Sequence, residues 1–186
     1  MTVMAQDMGG RPFTVDDLEE ISDGSHRYEL IDGMLLVTPA PSLRHQRLAF
    51  LLAIELEEVC PPGFLVVPAP FAVRPSTSTE LQPDVLVARE EDLTDKWLPV
   101  APVLAVEVLS PSTALNDLNN KKAAYERLGV ASYWVVDPQE PRLTVFELGE
   151  DARYAQVAEV KGADAFDAER PFPVRVVPAE LLGTLK

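Results

Sequence analysis

The sequence predicts a mixed α/β (α+β) fold in which helices flank a central mixed sheet. Three observations support this fold class. Val103–Leu109 is almost wholly apolar and rich in valine, as expected for a central strand covered on both faces. Ser42–Val59 carries leucine and isoleucine at helical spacing. Asp32-Gly33 stands between two short strand-like segments, which is typical of a β-hairpin turn.

Length and composition predict one domain. At 186 residues and 47% apolar composition, the chain is long enough to bury a substantial core. Residues 1–12 have few apolar side chains and a Gly9-Gly10 pair, which predicts a flexible tail before a single domain over residues 13–186. No apolar run is long enough to cross a bilayer, and no basic stretch precedes an apolar one at the N-terminus. We therefore expect a cytoplasmic protein without membrane association.

Cap and turn residues place the elements of the first half. Thr14 is positioned to cap a short helix, and Ser42 is suited to cap the long one, which stops at the Cys60–Gly63 turn. The predicted elements are a helix from Thr14 to Ile21, strands Arg27–Ile31 and Met34–Val37, a helix over Ser42–Val59, and strands Phe64–Val67, Phe71–Val73 and Pro83–Val87.

The second half repeats the alternation of strands and helix. Its helical segment ends at Gly129, which is suited to a left-handed C-terminal cap. The turn-like residues 137–141 separate two further strands. The predicted elements are strand Val103–Leu109, a helix over Ala114–Leu128, and strands Ser132–Val136, Leu143–Leu148 and Tyr154–Val160.

Charge and cysteine content narrow the function classes. Thirty acidic against 16 basic residues give a net charge of −14, which repels nucleic acid at long range. Strong nonspecific DNA binding is therefore disfavoured, although a local basic groove or divalent cations can offset the field. Cys60 is the single cysteine, so no intrachain disulfide forms and no thiolate cluster indicates a zinc site.

Two acidic residues are candidates for a functional site. Burying the charge of one of them is costly, and the role of the other cannot be read from its position alone. Glu107 interrupts the apolar run, and a buried carboxylate needs a cation or hydrogen-bond donors. A structural salt bridge is one explanation for it, and a functional site is the other. Asp84 follows Pro83 at the start of another strand and would by itself indicate a turn or strand boundary. If neighbouring strands bring both carboxylates together, the pair suits Mg²⁺ or Mn²⁺, which activate water for phosphodiester hydrolysis.

Two basic side chains face inward on the predicted helices. Lys121 shares a helical face with Ala124 and Tyr125, so its ammonium can stabilise phosphate charge or orient the attacking water. A snorkelling side chain or a pair with Asp117 is the alternative. His45 lies on the apolar face of the long helix near its start. It either contacts substrate or acts as a general base, or it is a hydrogen-bonded histidine at the edge of the core.

Several motifs together resemble a known nuclease family. Pro83-Asp84 followed by Glu107 has the order of the PD-(D/E)XK signature of metal-dependent nucleases. Further segments between residues 28 and 137 resemble the Uma-two family of endonucleases. The matching segments are Tyr28–Gly33, Glu107–Thr113, Asp117, Lys121, Tyr125, Gly129-Val130, Tyr133-Trp134 and Asp137.

The resemblance implies a restriction-endonuclease-like fold, a Mg²⁺ or Mn²⁺ cofactor and DNA as the substrate. It implies that Asp84 and Glu107 bind the metal, with the backbone carbonyl of Val108 as a further ligand. It also implies that Lys121 replaces the signature lysine, because that position, two residues after Glu107, is Leu109 here.

The resemblance also gives Glu29 a role, because it corresponds to an early acidic position that supports the site. Considered alone, Glu29 would be an exposed residue on an alternating strand, paired with Arg27.

The predicted function is a metal-dependent DNA endonuclease. The residues assigned to catalysis are Asp84, Glu107, Lys121 and Glu29, and the residue assigned to substrate binding is His45. One alternative is a catalytically weak or inactive nuclease-fold protein that binds nucleic acid or has a regulatory role. A structural dimerisation module is the other, and a homodimer is compatible with each function. No GxSxG, P-loop or HExxH motif supports a different chemistry.

Overall fold

The computed structural model describes residues 3–5, 10–21, 26–110 and 117–183. The helices are α1 (Val15–Ile21), α2 (Leu43–Glu58) and α3 (Lys122–Leu128), with a π-helical turn at Asp117–Lys121 and 3₁₀ turns at Glu90–Asp92 and Glu180–Leu182. The strands are β1 (Val3–Ala5), β2 (His26–Ile31), β3 (Met34–Pro39), β4 (Phe64–Pro68), β5 (Ala72–Ser76), β6 (Thr79–Leu81), β7 (Val85–Arg89), β8 (Trp97–Leu98), β9 (Leu104–Val108), β10 (Ser132–Asp137), β11 (Arg142–Leu148), β12 (Tyr154–Lys161), β13 (Phe166–Ala168) and β14 (Val174–Val176).

The strands form two larger sheets and one β-ribbon. The central sheet has the order β12-β11-β10-β9-β7-β4, in which β9 and β10 are parallel and the other pairs antiparallel. The second sheet has the order β1-β3-β2-β6-β5-β8, and β13 pairs with β14. The predicted fold class, a mixed sheet flanked by helices, is confirmed.

Strand β9 lies at the centre of the core, and its two faces contact different elements. Leu104 and Val106 pack in one cluster with Leu48 and Leu52 of α2. Ala105 packs on the opposite face, in a cluster that includes α3 and the β2–β3 hairpin. Because alternate side chains of a strand point to opposite faces, Glu107 shares the α3 side with Ala105. The valine-rich strand is therefore covered on both faces, as its composition predicts.

Local signals explain the best-predicted elements. Ser42 caps α2 by accepting a hydrogen bond from the backbone N–H of His45 at 3.3 Å. In the β2–β3 hairpin, Asp32 and Gly33 have φ angles of 50° and 80°, the left-handed geometry of a tight hairpin turn. Gly129 ends α3 with a φ of 81°. These three predictions are confirmed.

Other elements differ from the sequence prediction. Val3–Ala5, within the stretch for which a tail is predicted, pairs with β3 as an edge strand. The short strands β6, β8, β13 and β14 are not predicted, because strands of two or three residues carry no readable alternation. The predicted helix start at Ala114 lies outside the described residues, and the chain forms a π-helical turn before α3. No helix in the described part of the chain is long and apolar enough to span a membrane.

One carboxylate on α2 makes the stability of the fold depend on pH. Burial, together with the charges of Glu180 and Glu58, raises the pKa of Glu55 from 4.5 to about 7. The folded state therefore binds more protons than the unfolded state between these values, and stability falls as pH rises through about 7. Glu55→Gln should raise the melting temperature at pH 8 and leave it nearly unchanged at pH 5. An equal effect at both pH values would contradict this assignment.

Candidate active site

A cavity of about 190 Å³ lies where β7 begins and β9 ends. Val85 is paired with Val106, so the antiparallel register places Asp84 beside Glu107 on the neighbouring strand. The backbone N–H of Asp84 also donates to the carbonyl of Val106 at 2.9 Å. The residues that line the cavity are Arg27, Glu29, Thr38, Pro39, Ala40, Pro41, Ser42, His45, Asp84, Glu107, Val108, Ser110 and Lys121. All the residues predicted for the site thus surround one space.

The Asp84 carboxylate is buried and accepts from three donors. Oδ1 lies 2.9 Å from a guanidinium nitrogen of Arg27, and Oδ2 accepts from the backbone N–H of Val108 at 2.8 Å. His45 Nε2 lies 3.0 Å from Oδ2. Burial opposes ionisation, but the hydrogen bond from His45 and the charges of Arg27, His45 and Lys121 outweigh it and lower the pKa of Asp84. Asp84 is therefore a fixed anion at the edge of the cavity.

The Glu107 carboxylate is held from the α3 side. The ammonium of Lys121 donates to both of its oxygens, at 3.1 and 3.0 Å, and the hydroxyl of Tyr125 donates to Oε1 at 2.8 Å. Burial and the charge of Glu107 raise the pKa of Tyr125 well above its ordinary value, so this hydroxyl stays a donor. Glu107 has cationic and hydrogen-bonding partners, as a carboxylate inside an apolar strand requires.

Lys121 connects Glu107 to Glu29. Its ammonium lies 2.9 Å from Glu29 Oε2, and the backbone N–H of Gln82 donates to Glu29 Oε1 at 2.8 Å. Glu29 is only 1% exposed, so the alternative of an exposed strand residue paired with Arg27 is wrong. Lys121 is 4% exposed and pairs with these two acids, and the side chain of Asp117 lies outside the described residues.

His45 is buried at the start of α2 and reaches the site through Asp84. Its Nδ1 is buried and has no hydrogen-bond partner among the residues that the structure describes. The histidine therefore lies at the edge of the core and lines the cavity, and its contact with substrate stays a prediction.

Comparison with known proteins places the chain in a family. A family profile described as "Putative restriction endonuclease" matches residues 15–180. The chain belongs to the Uma2 family. The sequence motifs that resemble Uma-two proteins predicted this membership. Membership in Uma2 places the chain in a nuclease family. Comparison with curated proteins found no match.

A solved structure supports the fold of this Uma2 protein. It is described as a "putative nuclease belonging to DUF820" from Anabaena variabilis ATCC 29413. The two chains are 17% identical and superpose with a TM-score of 0.71 over 92% of this chain and 98% of the other. At this identity the likeness shows the shared fold.

The site of this Uma2 protein contains a charged residue that sequence reasoning did not assign to it. Arg27 donates to Asp84 and, at 3.2 Å, to the backbone carbonyl of Gln82. Burial would lower its pKa, but the charges of Asp84, Glu29 and Glu107 outweigh burial and raise it. The sequence signal that could have placed Arg27 in the site was its position two residues before Glu29, because strand residues two apart face the same side of a sheet.

The donor set suits a small divalent cation. Mg²⁺ prefers oxygen ligands and keeps several waters, so it needs only one or two protein carboxylates. Asp84 and Glu107 are adjacent, and the carbonyl of Val108 belongs to the same strand end. Within residues 3–5, 10–21, 26–110 and 117–183, no group of three or more His, Cys, Asp or Glu side chains is arranged to hold a metal. Asp84, Glu107 and the carbonyl of Val108 are the residues that could hold such a cation.

Proposed function

We propose that this Uma2 protein is an endonuclease that hydrolyses DNA phosphodiester bonds with the help of bound Mg²⁺ or Mn²⁺. The observation that carries this proposal is the juxtaposition of Asp84 and Glu107 on adjacent strand ends, with Lys121 in contact with Glu107. A merely structural ion pair would not need two further charged residues, the buried Glu29 and the half-buried Arg27, around the same cavity. Clusters of buried charges that face a cavity are typical of catalytic sites.

Asp84, Glu107 and the carbonyl of Val108 would hold the metal. A cation held there would supply positive charge for the phosphate and would activate water as the nucleophile. Val108 connects the ligands, because its N–H donates to Asp84 while it directly follows Glu107. The strand end therefore orients both carboxylates before substrate arrives, which limits the reorganisation needed during reaction.

Lys121 would provide the positive charge that acts on the phosphate or the attacking water. Its ammonium is fixed between Glu29 and Glu107 at 2.9 and 3.0 Å, so its position is set by two anions on different elements. A preorganised cation in a site of low polarity stabilises developing negative charge more strongly than a mobile surface lysine does.

Arg27 and His45 would orient Asp84 from two directions, and His45 would also contact the substrate. One guanidinium nitrogen of Arg27 is used by Asp84 and Gln82. With three carboxylates and two permanent cations, Arg27 and Lys121, the site carries one net negative charge before His45 is counted. This charge favours a divalent cation as the next component of the site and disfavours a phosphate arriving alone.

The second candidate is a nuclease-fold protein that binds nucleic acid or regulates another process without efficient cleavage. Its support is that Asp84, Glu107 and Glu29 each already have cationic or N–H partners within the chain. The net charge of −14 also disfavours tight DNA binding. A cleavage measurement separates the two candidates.

The test is a cleavage assay on supercoiled, linear and single-stranded DNA and on RNA, with Mg²⁺, with Mn²⁺ and with a chelator. We expect metal-dependent conversion of supercoiled DNA to nicked and linear forms. An Asp84→Ala preparation, purified in parallel, excludes a contaminating nuclease. If the wild-type and Asp84→Ala preparations cleave at the same low rate with every metal, the binding or regulatory candidate is favoured.

Glu29→Gln should weaken metal-dependent cleavage while the fold persists. The amide keeps an oxygen that accepts from the N–H of Gln82, but it removes one of the two anions that fix Lys121. We expect a loss of about tenfold, which corresponds to about 1.4 kcal/mol of transition-state stabilisation. Initial rates at several metal concentrations measure it. Unchanged rates and unchanged metal dependence would mean that Glu29 has only a structural role.

A further inference from the structure

The outer face of α2 carries large apolar side chains that the described residues leave uncovered. Leu43, Phe50 and Ile54 are 75%, 52% and 38% exposed, and Val59, just after the helix, is 46% exposed. Spacings of seven and four residues place the first three on one helical face, opposite the buried Leu52. These four are among the nine large apolar residues that are exposed in the described part of the chain. The concentration on one helix marks an interaction surface.

Two charged residues, one near each end of α2, lie beside these apolar side chains. At 100° per residue, Arg47 lies about 40° to one side of Leu43 and Glu57 about 40° to the other side, so the two charges flank the apolar residues. The guanidinium of Arg47 lies 5.6 Å from the centre of the Phe50 ring. Within the described residues, neither Arg47 nor Glu57 forms an ion pair. We call the set Leu43, Arg47, Phe50, Ile54 and Glu57 the α2 stripe.

The α2 stripe is complementary to itself in one orientation. Leu52 is equally far along the helix from Arg47 and Glu57, and equally far from Phe50 and Ile54. A twofold axis at the level of Leu52 therefore sets Phe50 of one copy against Ile54 of the other and Arg47 against Glu57. A twofold contact forms each of these pairs twice. Parallel helices in register would instead place like charges opposite each other.

We propose that two copies of this chain associate through the α2 stripe as an antiparallel, twofold-symmetric dimer. The second copy is the fitting occupant because it supplies apolar side chains for the exposed ones, a glutamate for Arg47 and an arginine for Glu57. Within the stripe itself, each copy contributes one cation and one anion, which limits charge repulsion between two chains of net charge −14. A contact of one helix face is small, so association falls in the weak class, with dissociation constants of about 1 to 100 µM.

Charge reversal tests the proposed register. Arg47→Glu sets two glutamates against each other at both ends of the contact, and Glu57→Arg does the same with two arginines. In an equimolar mixture of the two variants, the heterodimer regains opposite charges at both ends, because each end then pairs position 47 of one copy with position 57 of the other. Both positions are exposed, so the fold should tolerate the changes, and circular dichroism checks it. Glu91→Arg, an exposed charge reversal away from α2, is the matched control.

The double variant Arg47→Glu/Glu57→Arg completes the design. It exchanges the two charges within one chain, so its homodimer regains an opposite-charge pair at both ends of the contact. This variant should therefore dimerise as the wild type does, whereas each single variant should not. When the double variant is mixed with the wild type, like charges meet at both ends, so mixed dimers should be disfavoured.

Sedimentation equilibrium across about 1 to 100 µM measures the outcome. We expect a dimer for the wild type, for Glu91→Arg and for the double variant, and association weakened at least tenfold for each single α2 variant. A wild type that stays monomeric throughout this range would overturn the proposal. So would single variants that still dimerise, or a double variant that fails to recover, because the contact would then lie elsewhere or in another register.

Discussion

Lys121→Ala should destabilise the protein by about 3 to 5 kcal/mol and lower turnover at least tenfold, whereas Lys122→Ala should stay near wild type. Lys121 is buried between Glu29 and Glu107, and its removal leaves two carboxylates in the core without their shared cation. Lys122 is one residue further along and points elsewhere, with its ammonium 3.9 Å from the centre of the Phe146 ring. Loss of that contact costs about 0.5 to 1 kcal/mol.

Two measurements separate the folding and the chemical effects of Lys121. Urea unfolding gives the stability of each variant, and cleavage is compared only under conditions in which all variants are folded. Lys121→Arg keeps the positive charge but replaces the compact ammonium with a planar guanidinium, so it should retain more stability than activity. If Lys121→Ala and Lys122→Ala show equal stability and equal activity, the placement of Lys121 in the site is wrong.

Asp84→Asn should reduce metal-dependent cleavage by at least about 100-fold, equivalent to about 2.7 kcal/mol of barrier. The amide keeps the size of the side chain and one accepting oxygen, but it loses the charge that would bind the metal. Asp95→Asn, at an exposed position, is the matched control and should cleave normally. Cleavage by folded Asp84→Asn at the wild-type rate would remove Asp84 from the mechanism.

Asp84→Asn should also change how the free energy of unfolding depends on pH in acid. The pKa of Asp84 lies below its ordinary value of 3.8, so the folded state binds fewer protons than the unfolded state near that pH. The ionised Asp84 carboxylate contributes fully to the free energy of unfolding when the pH is above 3.8, and this contribution is lost as the pH falls further. The stability difference between the wild type and Asp84→Asn should therefore be largest near neutral pH and shrink below about pH 4.

The sequence predicted those parts of the fold and site that local chemistry encodes. The hairpin turn at Asp32, the Ser42 cap and the Gly129 cap are each set by residues close in sequence. Glu107 could be recognised because a charge inside a valine-rich strand needs a partner. Lys121 could be recognised because it faces inward with Ala124, which the structure also buries.

The parts that were missed depend on contacts between distant segments. The sequence suggested Arg27 only as a partner of Glu29 in the alternative interpretation of that residue, but Arg27 pairs with Asp84, which lies 57 residues away in sequence. The short strands β6 and β8 exist because a neighbouring strand offers backbone partners, which composition does not show. The metal assigned to Asp84 and Glu107, and the catalytic roles of the site residues, stay predictions.

The location of a bound divalent cation tests the proposed mechanism most directly. Crystals grown with Mn²⁺ and measured at a wavelength at which manganese scatters anomalously reveal where the ion binds. The proposed metal site predicts an anomalous peak within bonding distance of carboxylate oxygens of both Asp84 and Glu107, and this peak should be absent from crystals of Asp84→Asn. A fully occupied manganese site elsewhere, with no peak between these two carboxylates, would contradict the proposed metal-dependent mechanism.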